Sequence, residues 1–557
     1  MPYMSGRACL LALLKQEGIT HMFGNPGTTE LALMDQMAGE RDIHYVLGLA
    51  EVAVMAMTDG YAQAKGLAFC NLHVAPGLGN AMGMLYDAMK AGSPIIVTAG
   101  QHPTDFAMKE PLLWAELPEI ARPFVKWSAE VRNLSDLPQM IHRAVKTALA
   151  PPMGPVFLSL PGDVLIAEGE IDLGEPSRVG SGIRGDVKAI AAACALMAES
   201  RTPVLVLGDA IAQSGSFTEI IAFAEALGAP VYDETVASRC NFPSSHPLYR
   251  GALTRLGASV HAAMQNHDLL VSIGADIFTL SVPSEIEPLP EGMKVIHLDT
   301  DPWQIGKNYP ATVGILGDPA STLPELTAGL LAALTPQQAT LRNTRRDHVE
   351  RENATSLAQL RATADNAADK HPIQPLGLLR TLGDALPDNA VIIDETISSG
   401  ANLRRLLRTN DPHAFYGLKG GGIGWGLSAA IGIKLALPGR PVIALIGDGS
   451  AMYTIQALWT AAHEKLDIIY IIFNNSSYRV LKQRTNAMKG IAAQSDTYVA
   501  MDLTEPRIDY LQVAGGLGLK AFKANTLEDL RDHLAAALET GGAVLIDVEI
   551  DRNYKPV

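Results

Sequence analysis

Cysteine is scarce in this chain of 557 residues. There are four cysteines, at positions 9, 70, 194 and 240, and no two of them form a C-x-x-C pair. Zinc knuckles and disulfide-rich folds need closely spaced cysteines, so neither is indicated. Scattered thiols of this kind fit a reducing compartment, and we expect a cytoplasmic protein.

Basic charge and long apolar runs are also lacking. Lys and Arg number 44 against 59 Asp and Glu, which gives a formal net charge of −15. Because nucleic-acid phosphates are held mainly by Lys and Arg, this balance argues against a nucleic-acid partner. No apolar run approaches the ~18 residues that span a bilayer, so no membrane partner is expected. Hydrophobic residues make up 48% of the chain, which is enough for large buried cores.

What the chain does contain is an alternation of short β-branched runs and helical stretches along most of its length. This alternation is typical of α/β folds with doubly wound parallel sheets. At roughly 100–200 residues per domain, the length predicts three or four domains. We expect the clearest strands at residues 95–98, 156–159, 204–207, 269–273, 295–298, 391–393, 442–446, 468–473 and 544–548.

Two polar segments divide the chain into three blocks. Residues 174–185 are rich in Gly, Ser and Arg, as linkers are, and residues 337–370 are strongly polar with helical character. The predicted domains are residues 1–176, 186–335 and 371–557.

The first and third blocks echo each other. Each has a glycine-rich segment, at 76–79 and at 421–424, that is expected to open a helix leading through a proline into a strand. This favours a common ancestral fold, although any parallel sheet repeats strand and helix. The middle block has no strict G-x-G-x-x-G fingerprint, so we predict a structural role for it, with nucleotide binding as the alternative.

The most specific signal joins two strand ends. Gly447-Asp448-Gly449-Ser450 follows one apolar strand, and Asn475 ends a second strand after about 24 further residues. Open α/β sheets bind ligands at the carboxyl ends of their strands. Asp448 and Asn475 offer the hard oxygens that magnesium prefers, and Gly447 and Gly449 allow close approach of a phosphate. The alternative to a metal and phosphate site is an ordinary turn at the strand end together with an Asn-rich hairpin. The spacing between the two segments argues against this alternative.

This pair resembles the signature of thiamine-diphosphate enzymes, in which G-D-G is followed after about two dozen residues by N-N. The resemblance covers essentially the whole chain and is greatest to the benzoylformate decarboxylase branch. It implies a pyrimidine-binding domain, a central Rossmann-like domain and a diphosphate-binding domain, with thiamine diphosphate and magnesium as cofactors. The other matching stretches are residues 23–30, 51–62, 71–83, 97–101 and 457–462.

The resemblance also implies catalytic roles in the first domain. Glu51 would bond the pyrimidine ring of the cofactor and drive the aminopyrimidine toward its imino tautomer, whose nitrogen removes the proton from the thiazolium carbon. His73, and with it Thr28, would carry protons close to the reacting carbon.

In the third domain, the resemblance places Ile423 beneath the cofactor, where it forces a bent shape, and turns the Gly421 carbonyl toward the amino group. The metal ligands would be Asp448, Asn475 and the backbone oxygen of Ser477. Ile397 stands where the branch has a hydroxyl residue, so a neighbouring serine must compensate. Further cofactor contacts are expected at Asn25, Asn80, Ser398, Gly447, Gly449, Ser450 and Tyr478.

Two stretches depart from the branch. Its second catalytic histidine is missing, because the equivalent residues 274–282 contain none. The predicted substrate wall, with Val480, Leu481 and Arg484, is unusually basic because Arg479, Lys482 and Lys419 accompany it. Basic groups in an acidic protein indicate an anionic substrate tail, and a solvated helix face is the alternative.

We therefore predict non-oxidative decarboxylation of a 2-oxo acid, similar to benzoylformate, to an aldehyde. One alternative is a carbon–carbon lyase or carboligase of the acetolactate synthase or 2-hydroxyacyl-CoA lyase type, which the missing histidine favours. Another is a non-catalytic cofactor-binding module, against which the intact Glu51 argues. Because the two halves of each site come from different subunits in such enzymes, the resemblance implies a homodimer or homotetramer.

Overall fold

The structure, a computed structural model, describes residues 1–554. The first domain contains strands β1–β8 and helices α1–α8, with 3-10 turns at Thr28–Glu30, Arg122–Phe124 and Leu134–Asp136. Its strands are β1 (Tyr3–Ser5), β2 (His21–Gly24), β3 (His44–Leu47), β4 (Ala68–Leu72), β5 (Ile95–Gln101), β6 (Ser128–Glu130), β7 (Val156–Pro161) and β8 (Glu168–Glu170). Its helices are α1 (Gly6–Gln16), α2 (Leu31–Met37), α3 (Glu51–Lys65), α4 (Val74–Ala91), α5 (Thr104–Ala107), α6 (Leu117–Ala121), α7 (Leu137–Leu149) and α8 (Gly162–Ile166).

The second domain follows a stretch without helix or strand. Its strands are β9 (Pro203–Leu207), β10 (Val231–Asp233), β11 (Tyr249–Ala252), β12 (Leu269–Ile273), β13 (Lys294–Asp299) and β14 (Val313–Leu316). Its helices are α9 (Val187–Glu199), α10 (Ala210–Ser214), α11 (Phe217–Leu227), α12 (Gly257–Met264) and α13 (Pro319–Ala333). The polar segment predicted to be helical is α14 (Pro336–Asp365), which contacts this domain and the next one.

The third domain completes the described chain. Its strands are β15 (Val391–Glu395), β16 (Phe415–Gly417), β17 (Val442–Gly447), β18 (Ile468–Asn474), β19 (Lys520–Ala524) and β20 (Val544–Glu549). Its helices are α15 (Pro375–Ala385), α16 (Leu403–Leu406), α17 (Trp425–Ala436), α18 (Asp448–Ala451), α19 (Ala457–His463), α20 (Arg479–Ala487), α21 (Ile491–Ser495), α22 (Tyr510–Gly516) and α23 (Leu527–Thr540).

Each domain has one six-stranded parallel sheet, which confirms the predicted fold class. The strand orders are β3-β2-β4-β5-β7-β6 in the first domain and β16-β15-β17-β18-β20-β19 in the third. When only the six strands of each sheet are numbered, in chain order, both sheets have the strand order 2-1-3-4-6-5. Every predicted strand lies within an observed one, because buried parallel strands are nearly continuous β-branched runs.

The predicted echo holds for topology but not for the helix starts. α17 begins at Trp425, directly after its glycine segment, as expected. α4 begins at Val74, so Pro76 and Gly77 lie within its first turn. Proline is tolerated there, since the first helical N–H groups have no partner within the helix.

The middle sheet has the order β11-β10-β9-β12-β13-β14, which is the dinucleotide-fold order 3-2-1-4-5-6. Its strand order reverses between β9 and β12, where such folds bind dinucleotides. Here a Cβ placed on Gly208 would lie 2.3 Å from the Gly274 carbonyl oxygen. The two strand ends are therefore in direct backbone contact at the crevice.

The first and third domains pack through α3 against α17. A Cβ on Gly432 would lie 1.9 Å from the Met57 carbonyl, and one on Gly60 would lie 2.4 Å from the Ala429 carbonyl. Glycine at both places lets the two helix backbones touch. At the start of α17, the Trp425 indole N–H donates to the buried carboxylate of Asp59 at 2.6 Å. In residues 1–554, every helix is too short or too polar to cross a bilayer.

Candidate active site

Glu51 is the first residue of α3, and its side chain is buried. Its two carboxylate oxygens accept hydrogen bonds from the side-chain amides of Asn25, at 3.4 Å, and Asn80, at 3.2 Å. Asn25 follows β2, and Asn80 lies in the second turn of α4, whose Gly77 contacts the same carboxylate. Three elements thus position one acid.

His73 follows the end of β4, and its ring is held from one side. Its Nδ1 lies 2.8 Å from the Glu30 carboxylate, which is almost fully buried at 1% exposure. The same carboxylate accepts hydrogen bonds from the Gly27 and Gly100 N–H groups. When Nδ1–H donates to a carboxylate, the other ring nitrogen is left to exchange protons with a ligand.

Sequence reasoning missed Glu30, although the matched stretch 23–30 ends on it. It also pointed to Thr28 as the hydroxyl beside the histidine. The structure places Thr29 there, with its Oγ 3.2 Å from His73 Nδ1, whereas Thr28 is exposed. A role for Thr28 at the reacting carbon stays a prediction.

The glycine segment before α17 is fixed by two buried carboxylates that the sequence analysis did not single out. Glu395, at the end of β15, accepts hydrogen bonds from the N–H groups of Gly424 and Gly426. Burial raises the pKa of Glu395 to about 7. The sequence did contain a signal for Glu395, because an acidic residue ends an apolar strand at the edge of the sheet where ligands bind.

The second carboxylate is Asp87 of α4, which accepts from the Gly422 N–H at 3.0 Å. A Cβ on Gly420 would lie 2.1 Å from this carboxylate, so only glycine fits there. Burial raises the pKa of Asp87 to about 8. Gly421 has φ +89° and open space around it, and the neighbouring Ile423 is partly buried.

The Gly447–Ser450 segment and the Asn475 segment meet at one edge, as predicted, because β17 and β18 are paired neighbours. Asp448 is 3% exposed, and its Oδ2 has no hydrogen-bond partner in the described part of the chain. Burial raises the pKa of Asp448 to about 6. Hydrogen bonds from backbone groups, including that of Ser476, partly oppose this rise. The Asn475 side-chain oxygen accepts from the Ser477 N–H at 3.0 Å.

These residues fit a cation. A buried carboxylate oxygen without a partner is costly, and a bound ion would satisfy it. Carboxylate, amide and backbone oxygens are the donor set that magnesium takes. The Tyr478 ring packs against Gly449, where a Cβ would lie 2.6 Å from the ring, so this glycine admits the tyrosine. Ser450 reaches Glu395.

The predicted basic wall is mostly engaged in internal contacts. Lys419 forms ion pairs with Asp209 and Glu234 of the middle domain. Arg479 donates to the Ser398 carbonyl at 2.6 Å, and Lys482 donates to Asp502 at 2.6 Å. These three cations hold loops and domains together, so the inference of an anionic tail does not extend to them.

Val480, Leu481 and Arg484 lie on α20 and leave more surface open. Val480 is partly buried, while Leu481 and Arg484 are exposed. Of the predicted basic groups, Arg484 is the one whose side chain has neither a hydrogen bond nor an ion pair within residues 1–554. Its place in a substrate pocket stays a prediction.

Within one chain the two halves of the site lie apart. Glu51 contacts Gly77 near the start of α4, whereas the glycine segment contacts Asp87 near its end. Ten residues of α-helix rise about 15 Å. The Glu51 carboxylate therefore does not meet Ile423 of its own chain.

Three family models match the chain in sequence. The N-terminal thiamine pyrophosphate (TPP) binding domain of thiamine pyrophosphate enzymes matches residues 4–113, their central domain matches 190–326, and their C-terminal TPP binding domain matches 398–548. Benzoylformate decarboxylase of Pseudomonas aeruginosa is 33% identical over 96% of this chain and 97% of its own. A probable acetolactate synthase large subunit of Methanocaldococcus jannaschii is 28% identical over 98% and 92%.

Solved structures agree with these relatives. Benzoylformate decarboxylase from Polynucleobacter necessarius has 31% identity and a TM-score of 0.86, covering 99% of this chain and 100% of its own. A thiamine diphosphate-dependent 4-hydroxybenzoylformate decarboxylase of Rhodococcus jostii RHA1 has 30% identity and a TM-score of 0.85 over the same shares. With its sheets, its two cofactor-binding domains and these relatives, this chain belongs to the family of thiamine pyrophosphate enzymes.

Proposed function

We propose that this enzyme uses thiamine diphosphate and magnesium to remove carbon dioxide from a 2-oxo acid similar to benzoylformate and to release an aldehyde. The observation that carries the proposal is the pairing of two proton-handling groups in the first domain. Glu51 is held by two amides, and His73 is held through Nδ1 by buried Glu30. The relatives named benzoylformate decarboxylase support the same reaction.

When bound, thiamine diphosphate supplies the carbon nucleophile and the electron sink for decarboxylation. This chain supplies the surroundings. Glu51 would share a proton with the pyrimidine ring, and His73 Nε2, with Thr28, would hold or deliver a proton at the substrate carbon. Ile423 and the Gly421 carbonyl would orient the ring, and Asn25 and Asn80 would keep the carboxylate in place.

Magnesium would be held by Asp448, Asn475 and the Ser477 carbonyl. The buried Asp448 Oδ2 without a partner supports this assignment. The diphosphate would then lie over the strand ends, where metal charge and backbone N–H groups offset its negative charge. Its proposed contacts are Ser398, Gly447, Gly449, Ser450 and Tyr478.

We also propose that the working unit is a homodimer or a homotetramer. Because Glu51 and Ile423 of one chain do not meet, a complete site would need the first domain of one subunit and the third domain of another. The four cysteines are free and buried, in keeping with the reducing compartment, the cytoplasm, that we propose.

The test is carbon dioxide release from a panel of aromatic, branched and dicarboxylic 2-oxo acids, with thiamine diphosphate and magnesium present. We expect release from at least one aromatic acid, and a loss of roughly 10²–10⁴-fold in Glu51→Gln because the proton-sharing carboxylate is gone. Glu219→Gln is the matched control, since Glu219 also lies in the first turn of a helix, α11 of the middle domain. Full release in Glu51→Gln would refute the proposal.

A carboligase or lyase is the second candidate. The resemblance places a second histidine in residues 274–282, but this stretch contains none. The protonation step that leads to an aldehyde therefore has one proton donor fewer. The acetolactate synthase relatives fit this alternative. Adding an acceptor aldehyde and finding a carbon–carbon bonded product in place of the free aldehyde would favour it.

A further inference from the structure

Lys419, just before the glycine segment, extends from the third domain to the middle domain. Its Nζ lies 3.1 Å from Asp209 Oδ2 and forms a second ion pair with Glu234. All three side chains are largely buried, with exposed fractions of 15% for Lys419, 7% for Asp209 and 2% for Glu234. Burial lowers the pKa of Lys419, but the two carboxylates outweigh it and raise the pKa above its ordinary value, so the ammonium stays charged.

The two acids lie at the carboxyl edge of the middle sheet, where Asp209 follows β9 and Glu234 follows the neighbouring parallel strand β10. A sheet of this strand order binds dinucleotides at this edge, and an acidic residue about 20 residues beyond the first glycine turn bonds the ribose. In this chain a lysine of another domain is paired with both acids. Lys419 therefore uses carboxylates that this edge could otherwise offer to a ribose.

Further contacts fix the two acids within the middle domain. Asp209 accepts hydrogen bonds from the Ser238 N–H, at 3.0 Å, and from the Ser238 hydroxyl, at 2.7 Å. Glu234 Oε2 accepts from the Asp276 N–H at 2.8 Å, and Asp276 follows β12 on the other side of the crevice. The Ser238 carbonyl in turn accepts from the N–H of Gly417, the last residue of β16, at 2.9 Å. The middle domain thus holds both the strand that leads to the glycine segment and the lysine before that segment.

Contacts from all three domains therefore fix the glycine segment. Asp87 of the first domain accepts from the Gly422 N–H, and Glu395 of the third domain accepts from the Gly424 N–H. Lys419 adds the contact with the middle domain. Because glycine restricts the backbone less than any other residue, the path of this segment depends on these contacts.

We propose that the crevice of the middle domain holds Lys419 in place of a nucleotide, and that Lys419 is a positioning residue for the glycine segment. This rests on the proposed function, in which the Gly421 carbonyl orients the pyrimidine ring. Two charge-assisted contacts fix the backbone two residues before Gly421. A shift of about 1 Å in a positioning group can slow a reaction about 100-fold. Because Lys419 acts through Gly421, its loss lowers cofactor activation more than cofactor affinity.

Amide hydrogen exchange of the cofactor-free protein tests the contact itself. We expect residues 419–424 to exchange about tenfold faster in Lys419→Met than in the wild type, with partial return in Lys419→Arg, which keeps the charge. Arg440→Met is the control and should leave these residues unchanged. Arg440 has a similar exposed fraction, 19%, and is paired with Asp411 of its own domain. Unchanged exchange in Lys419→Met would overturn the inference.

Proton exchange at the thiazolium carbon of bound thiamine diphosphate, followed by NMR, tests the consequence and needs no substrate. We expect Lys419→Met to slow this exchange about 10–100-fold, while the Kd of the cofactor with magnesium changes less than about threefold. Equal losses in rate and affinity would show a merely structural role and overturn the inference. If Lys419→Met does not fold, Glu234→Gln carries the same test, because it removes one ion pair and keeps the pair with Asp209.

Carbon dioxide release separates this inference from the proposed function. Slowed proton exchange in Lys419→Met, with no release from any 2-oxo acid by the wild type, would overturn the function and support the role of Lys419. Release by the wild type with unchanged proton exchange in Lys419→Met would overturn the inference and leave the function standing. Saturable binding of FAD or ADP to the wild type, lost in Glu234→Gln, would show that the crevice holds a nucleotide and would also overturn the inference.

Discussion

At the scale of single residues, Glu30 decides how His73 works. The carboxylate is 1% exposed and holds the ring through Nδ1 while also accepting backbone N–H groups. Replacing it by an amide keeps the shape but removes the negative charge and turns one of the two acceptor oxygens into a donor, so the ring nitrogen that carries the proton is no longer fixed. Glu30 acts through His73 and is a positioning residue.

We expect Glu30→Gln to lower kcat by about 10–100-fold and to move the pH profile of kcat toward lower pH, because the imidazolium form loses its carboxylate partner. Steady-state carbon dioxide release between pH 5 and pH 8 measures both effects. Glu17→Gln is the matched control, because Glu17 is likewise buried and paired with a histidine, His142, away from the site. An unchanged pH profile in Glu30→Gln would contradict the assignment.

At the scale of elements, the packing of α3 on α17 joins the two cofactor-binding domains of one chain. Gly432→Ala would place its Cβ 1.9 Å from the Met57 carbonyl, and backbone cannot rotate out of the way as a side chain can. We expect a loss of about 2–4 kcal/mol in the free energy of unfolding. Urea unfolding measures it, with Gly439→Ala as the control because a Cβ there meets nothing within 4 Å. Equal stability of the two variants would show that the helices can separate at little cost.

The contact between α4 and the glycine segment predicts a pH dependence of stability. Burial raises the pKa of Asp87 to about 8, well above the ~3.9 of an unfolded chain. Between these values the folded state binds more protons than the unfolded state, so this group makes the free energy of unfolding fall as pH rises from about 4 to about 8. The limit is about 1.4 kcal/mol per pH unit.

Asp87→Asn should flatten that fall, because an amide does not titrate. Thermal unfolding midpoints of wild type and variant between pH 5 and pH 8 give the comparison, with Asp105→Asn, an exposed residue, as the control. A wild-type midpoint that rises across this range more steeply than that of Asp87→Asn would contradict the sign.

At the scale of the whole molecule, a site shared between chains predicts complementation. In a mixed dimer of Glu51→Gln and Asp448→Asn subunits, one site carries both changes and the other carries neither. Random pairing makes half of the dimers mixed, so about a quarter of the wild-type activity should return on co-expression. Each variant alone should be inactive. No recovery in the mixture, despite mixed dimers in native mass spectrometry, would show that each site lies within one chain.

The sequence alone determined the strands, the parallel α/β class and the meeting of Asp448 with Asn475. These features depend on local hydrophobic pattern and on one rule of sheet geometry, that neighbouring parallel strands end at the same edge. The matched motifs also led to Glu51 and His73. Periodicity does not fix where a helix begins, so the start of α4 was placed several residues too late.

Only the tertiary structure decided which partner each side chain has. In the sequence, four basic residues are equivalent candidates for one substrate wall: Lys419, Arg479, Lys482 and Arg484. In the structure, the first three contact carboxylates or carbonyls, whereas Arg484 does not. Glu30, Asp87 and Glu395 gained their roles in the same way, because each is buried and accepts hydrogen bonds from backbone N–H groups of another segment. The paired residues lie between 20 and 335 positions apart in the sequence. Because the energy of a charge depends on its burial and on its partners, no local pattern could specify them.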